Sequence, residues 1–135
     1  MAIRDDQRVE WTIQWGGDPE DVSAKIWGDA TLDELDAWPR DLFSDPRFRP
    51  GLRILVDHRE TNFAALSAAD VREYADRLER DSKTINQQRI ASVVSGPADF
   101  GLARMAQLLT DERREFVWRV FYSFEDARAW LAESD

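Results

Sequence analysis

The residues best suited to chemistry in this sequence stand together in the stretch ILVDHRETNF, at positions 54–63. An apolar run ends there in Asp57, His58, Arg59 and Glu60, and His58 is the only histidine of the chain. A histidine titrates near neutral pH and can act as a general acid or base beside a carboxylate. Loops at the carboxyl end of parallel strands commonly host ligand sites. Asp57, His58 and Arg59 are therefore candidate binding residues.

Ser67 adds a second hypothesis, a hydrolase in which Ser67 is the nucleophile, His58 the base and Asp57 the orienting acid. The sequence has no Gly-x-Ser-x-Gly elbow, and such triads are defined by geometry rather than by spacing. Ser67 with Asp70 three residues later also predicts a capping box at the start of a helix. We favour the cap, keep Ser67 as a candidate binding residue, and predict that the chain is not an enzyme.

The same caution applies to the Asp57–His58 pair. Neighbouring residues on an extended chain point to opposite faces, so these two side chains are poorly placed to act together. An ordinary alternative is a polar strand exit, in which Asp57 holds loop amides and Arg59 pairs with nearby acids. We favour this structural interpretation over an acid–base site.

Composition narrows the classes of function. The chain has 135 residues, which predicts one domain over residues 1–135, and a net charge of −9. No basic stripe is visible, which argues against a nucleic-acid partner. Without cysteine and with one histidine, neither a zinc–thiolate nor an imidazole metal site is expected, and we predict no cofactor. No apolar run is long enough to insert into a membrane, and the start MAIRDDQRVEW lacks a secretory signal, so we expect a cytoplasmic location.

Periodicity predicts the elements. Residues 9–15 alternate as a half-buried strand, and residues 22–28 form a second strand close enough to pair with it as a hairpin. Nearly continuous apolar runs at 52–57, 89–95 and 115–122 indicate buried strands. Helices are predicted after Thr31, Ser67, Gly96 and Ser123, the first of them stopped or kinked by Pro39.

The order ββαβαβαβα indicates an α/β fold. We predict a mostly parallel sheet of four to five strands, an N-terminal β-hairpin, repeating βα units with right-handed crossovers, and about four helices. The hairpin adds one antiparallel strand near an edge of the sheet.

Three stretches of the sequence carry a resemblance: FSDPRFRPGLRILVDHRE, RIASVVSGPADFGLARMAQLL and VWRVFYSFEDARAWL. In their order and spacing they resemble the SpoIIAA-like branch of the STAS superfamily over roughly residues 9–132. These are small bacterial proteins, similar in fold to anti-sigma-factor antagonists and to lipid carriers of the CRAL-TRIO type. The resemblance implies a superhelix of βα turns that works by interaction or ligand binding. Antagonists carry a phosphorylated serine in an Asp-Ser-Ser/Thr-Gly motif, from which Ser67 in ALSAAD departs.

Two functions follow as expectations. The first is a non-catalytic, regulatory domain that acts through protein contacts, with a protein partner or with itself as a homodimer. The alternative is a binder of a small apolar or lipid-like ligand. Strands 52–57 and 116–122 are apolar on both faces, so helices on one face only would leave the other to be covered by a second subunit or a ligand. Alternation places Trp27 on the face of its strand opposite to Val22, Ala24 and Ile26. If Trp27 is exposed, an apolar patch around it would indicate a partner surface.

Overall fold

A computed structural model describes residues 9–80, 87–110 and 116–133, apart from the side chains of residues 109 and 110. Within this part of the chain nine elements follow one another: β1 (Val9–Trp15), β2 (Val22–Asp29), α1 (Leu32–Ser44), β3 (Arg53–Asn62), α2 (Ala68–Arg80), β4 (Arg89–Val93), α3 (Pro97–Thr110), β5 (Val117–Phe121) and α4 (Phe124–Ala132). The predicted order of elements is confirmed. The beginning of the last predicted strand, residue 115, lies outside the described residues.

The five strands form one sheet in the order β1-β2-β3-β4-β5. β1 pairs antiparallel with β2, and all the other pairs are parallel. The sheet therefore has the predicted architecture, with the hairpin at one edge and βα units extending from it. Each parallel connection passes through a helix, as such crossovers require.

Helices cover both faces of the sheet. On one face, which we call the cavity face, Ile54 and Val56 of β3 pack with Leu35 and Trp38 of α1. α2 and α3 cover the same face beside α1. On the opposite face, which we call the α4 face, Leu55 packs in a cluster with residues of α4, namely Ala127, Trp130 and Leu131. An outside cover was expected only if the helices lay on one face, and strand 52–57 does not need it, because α4 covers its second face.

Local sequence explains where the helices begin. The side chain of Thr31 accepts a hydrogen bond from the Glu34 backbone N–H at 3.4 Å and donates its own hydroxyl proton to the Glu34 carboxylate at 3.0 Å. The same carboxylate accepts from the Val9 N–H, which ties the start of α1 to β1. Ser123 caps α4 by accepting from the Asp126 N–H. Both predicted caps are confirmed.

Pro39 does not end α1, which continues to Ser44. A proline inside a helix removes one backbone hydrogen bond and crowds the preceding turn. Trp38 and Leu42, on either side of it, are both buried in the core. Since most helical stability in proteins comes from packing of the apolar face, this burial outweighs the local penalty.

Candidate functional site

The prediction that β3 ends at Asp57 is wrong, because the strand continues to Asn62. The candidate residues 57–60 therefore lie inside the strand. Lys25 of β2 pairs with Asp57 of β3, and the next pair is Trp27 with Glu60. Between these pairs β2 advances by two residues and β3 by three. β3 thus carries one extra residue there, which is a β-bulge. Hydrogen bonding to the neighbouring strand favours continuation of β3, although the residues are polar.

Asp57 and Arg59 pair with each other on the α4 face. The Arg59 guanidinium donates to both carboxylate oxygens of Asp57 at 2.9 Å and lies 4.7 Å from the centre of the Phe124 ring of α4. Burial acts to raise the pKa of Asp57, but hydrogen bonds from the side chain and backbone of Arg59 outweigh it and hold the pKa below its ordinary value. Arg59 thus pairs with a nearby acid, as the interpretation of this stretch as a polar strand exit predicts.

His58 lies on the cavity face, so Asp57 and His58 point in opposite directions as predicted. Its Nδ1 is 3.0 Å from the Thr61 hydroxyl oxygen, which is itself 2.7 Å from the Ile26 carbonyl oxygen. A carbonyl can only accept, so the single hydroxyl proton of Thr61 is donated to Ile26. His58 must then carry its proton on Nδ1 and donate it to Thr61, which leaves Nε2 as a hydrogen-bond acceptor.

Burial favours this neutral form of His58. It lowers the pKa of the imidazole to about 4, against a smaller opposing effect of the Asp57 charge. His58 is only 9% exposed, and Nε2 has no hydrogen-bond partner among the described residues. At neutral pH the residue therefore presents an uncharged ring with an unused lone pair.

Ser67 stands apart from these groups. Its hydroxyl accepts from the Asp70 N–H at 3.1 Å, and the Asp70 carboxylate accepts from the Ser67 N–H at 2.9 Å. This is the predicted capping box at the start of α2. Within the described part of the chain neither Ser67 nor Asp57 bonds to His58, so the three residues do not assemble as a triad. A binding role for Ser67, Asp57 or Arg59 stays a prediction.

Beneath α1, α2 and α3 the structure contains a cavity of about 120 Å³, whose position no sequence pattern indicated. Its wall is mostly apolar and is formed by both the sheet and the helices, including Leu35, Leu42, Val56, Val71, Ile90 and Ala106. The periodic apolar stripes predict that these residues meet. They carry no information on whether the side chains fill the space between them, which depends on how the elements pack.

A few polar side chains join this wall. His58 is one, and Trp38 is another, with its ring centre 6.3 Å from that of His58. The Trp38 Nε1–H is buried and has no hydrogen-bond partner within the described residues. Burial raises the pKa of the Tyr74 hydroxyl to about 12, an effect to which the charge of Asp36 adds. Tyr74 is therefore neutral at physiological pH.

Charged residues reach the cavity only as acids. Asp70 and Asp99, in the first turns of α2 and α3, both contribute to its lining, and burial raises the pKa of Asp99. No lysine or arginine among the described residues lines the cavity. Nor do the described residues contain a group of three side chains suited to a metal ion. None of the helices described is both long and apolar enough to cross a bilayer.

Comparison with known proteins identifies the fold. A solved structure from Shewanella loihica PV-4, an uncharacterised protein of the DUF3478 family with a SpoIIAA-like fold, superposes with a TM-score of 0.59 at 18% sequence identity. The match covers 96% of this chain and 99% of that one. No family model matches the sequence, and no curated protein does. The chain thus has the SpoIIAA-like fold that the sequence resemblance predicted.

Proposed function

We propose that this chain is a non-catalytic binding domain that holds one small apolar molecule in the cavity beneath α1, α2 and α3. The cavity itself carries the proposal. Protein interiors rarely contain voids larger than a water molecule. An engineered apolar cavity of about 150 Å³ in another protein binds benzene. The volume of about 120 Å³ here is close to that size, which suits one ring or a short aliphatic chain.

The stability cost of an unfilled cavity supports a role for it in binding. Apolar walls that no side chain fills cost stability, up to about 3 kcal/mol for a fully enclosed space of this volume. One larger side chain would recover much of that energy: Ala106 on α3 lines the cavity and is only 3% exposed. A retained void that a single substitution could close is expected where a ligand occupies it.

The arrangement of the reactive side chains supports a non-catalytic role. Among the described residues His58 hydrogen-bonds Thr61, Asp57 bonds Arg59, and Ser67 bonds Asp70. Each candidate is engaged with a different neighbour. The hydroxyl that does reach His58, that of Thr61, donates its proton to the Ile26 carbonyl and not to the imidazole. A binding domain needs neither a nucleophile nor a base, since burial of apolar surface provides the affinity.

Toluene is a suitable first probe, because it is one apolar ring without hydrogen-bonding groups. Thermal unfolding of the full chain should shift upward by several degrees as toluene is added, since a ligand that binds only the folded state stabilises it. Native mass spectrometry of freshly purified protein should show whether a molecule is already bound. A melting temperature independent of toluene, with no mass adduct, would contradict the proposal.

Two variants sharpen this test. Ala106→Leu fills the cavity and should raise the melting temperature of the free protein while abolishing the toluene shift. Ala69→Leu makes the same chemical change at an exposed position of α2 and should leave the toluene shift intact. Loss of the shift in both variants would mean that toluene stabilises the protein elsewhere.

Protein contact is a second candidate function, favoured by exposed apolar side chains at the β5 edge. Val117 and Tyr122 are about half exposed, and Leu108 of α3 is 60% exposed. β5 pairs only with β4 in the described sheet, so its outer backbone edge is available for pairing with a second copy. Light scattering at micromolar concentration tests this: the parent should be dimeric and Val117→Lys monomeric. A monomeric parent would remove the homodimer.

A further inference from the structure

The polar groups of the cavity restrict which apolar molecule it can hold. Nδ1–H of His58 is engaged by Thr61, and Thr61 is engaged by Ile26, so His58 can offer only the lone pair of Nε2. That atom has no partner among the described residues, on a side chain that is nine-tenths buried. A purely apolar ligand would shield this acceptor from water without pairing it, so a ligand that donates a hydrogen bond there gains affinity.

Two kinds of ligand head group are excluded, one by its charge and the other because it has no proton to donate. A carboxylate or phosphate would find no lysine or arginine in the described lining, and Asp70 and Asp99 would repel it. A methyl ether or ketone has no proton to donate to Nε2. A neutral hydroxyl satisfies both conditions, since its proton can go to His58. Its oxygen can accept from the Trp38 Nε1–H, which has no partner in the part of the chain that the structure describes and whose ring centre lies 6.3 Å from that of His58.

We propose that the cavity selects a neutral one-ring or short-chain molecule that bears a single hydroxyl group, whose O–H donates to Nε2 of His58. This inference rests on the proposed function, because it assigns a head group to the ligand of the same cavity. His58 acts here as a binding residue, and Thr61 as a positioning residue that holds the required tautomer.

Phenol and toluene are matched probes, since they share one ring and differ in the hydroxyl. Their dissociation constants are measured by titration of the full chain and of His58→Leu, an apolar replacement. His58→Leu should weaken phenol about tenfold relative to toluene, the loss expected for one buried hydrogen bond. Anisole, which lacks the proton, should behave like toluene in both proteins, and benzoate should not bind.

The outcomes separate the two proposals. If neither toluene nor phenol binds the parent, the proposed function fails. If both bind and their affinity ratio is the same in parent and His58→Leu, the cavity is a binding site but the hydroxyl selectivity is wrong. Binding of benzoate as tightly as phenol would also overturn it.

A spectroscopic measurement covers the case in which His58→Leu does not fold. His58 is the only histidine of the chain, so ¹⁵N spectra of the untagged protein report on its ring alone. Free protein at pH 7 should show a protonated Nδ1 and an unprotonated Nε2. Phenol should shift the Nε2 resonance upfield, and toluene should leave it in place. A proton on Nε2 in the free protein, or an Nε2 signal that phenol does not shift, would contradict the proposed hydroxyl selectivity.

Discussion

His58 and Thr61 lie on the same face of β3, although they are three positions apart along the strand, and their side chains are joined by a 3.0 Å hydrogen bond. On a regular strand, residues three apart point to opposite faces. The bulge between the Lys25–Asp57 and Trp27–Glu60 pairs removes this alternation. It thereby sets the tautomer of His58, and burial keeps the ring neutral, with consequences for binding and for stability.

Acid should destabilise the protein through His58. Its pKa is about 4 in the folded chain against 6.5 for an ordinary histidine, so between these values the unfolded chain binds a proton that the folded chain does not. The free energy of unfolding should therefore fall by about 3 kcal/mol as pH drops from 7 to below 4. Urea titrations at a series of pH values measure this slope.

His58→Leu is the control for that prediction, because it removes the titrating group and keeps the site apolar. Asp57, with a lowered pKa, adds acid sensitivity at lower pH in both proteins, and Asp99, with a raised pKa, opposes it in both. The difference between parent and variant thus isolates His58. Parallel curves between pH 4 and 6.5 would show that the imidazole is not held neutral.

Ser67 should matter for stability and not for binding. Ser67→Ala removes the cap of α2 and should cost about 1 kcal/mol, whereas Ser67→Asp, which can also cap, should cost much less. Ser123→Ala, in the equivalent position of α4, is a matched control for the size of the effect. Toluene binding should be unchanged in both Ser67 variants. A variant with full stability but no binding would assign Ser67 to the ligand site.

Gln88 should be among the most sensitive polar residues. It is 1% exposed, accepts from the Leu52 N–H at 2.9 Å and donates to the Arg49 carbonyl at 2.8 Å. Gln88→Leu leaves both backbone groups without this partner, and it should lower the free energy of unfolding by about 3 kcal/mol in urea titration. Gln14→Leu, at an exposed position of β1, should change it by less than about 0.5 kcal/mol. Equal losses of stability in Gln88→Leu and Gln14→Leu would contradict this structural role of Gln88.

Ser92 and Trp118 should be coupled. The indole N–H of Trp118 donates to the Ser92 hydroxyl at 3.0 Å between neighbouring strands, and both residues line the cavity. Ser92→Ala should destabilise by about 1–2 kcal/mol, but should cost much less in a Trp118→Phe background, where the donor of this hydrogen bond is absent. Strictly additive effects in this double-mutant cycle would show that the hydrogen bond contributes nothing.

Several parts of the candidate site followed from local sequence. Ser67 and Asp70 form a capping box because both partners lie within one turn of each other. Asp57 and His58 point apart because adjacent residues on a strand must. Neither result depends on what the rest of the chain does, which is why a short stretch of sequence was enough to predict it.

The sequence by itself determined the order of the elements and the parallel sheet with its leading hairpin, since both arise from short-range periodicity and spacing. The SpoIIAA-like character of the fold was implied by the resemblance of three sequence stretches to that family. The tertiary structure alone decided that β3 continues past Asp57, that α4 covers the second face, and that His58 and Thr61 meet. It also decided the cavity, because a void depends on how side chains from distant elements fit together. Residues far apart in sequence, such as Leu35 and Ala106, define that space, and no local pattern records their separation.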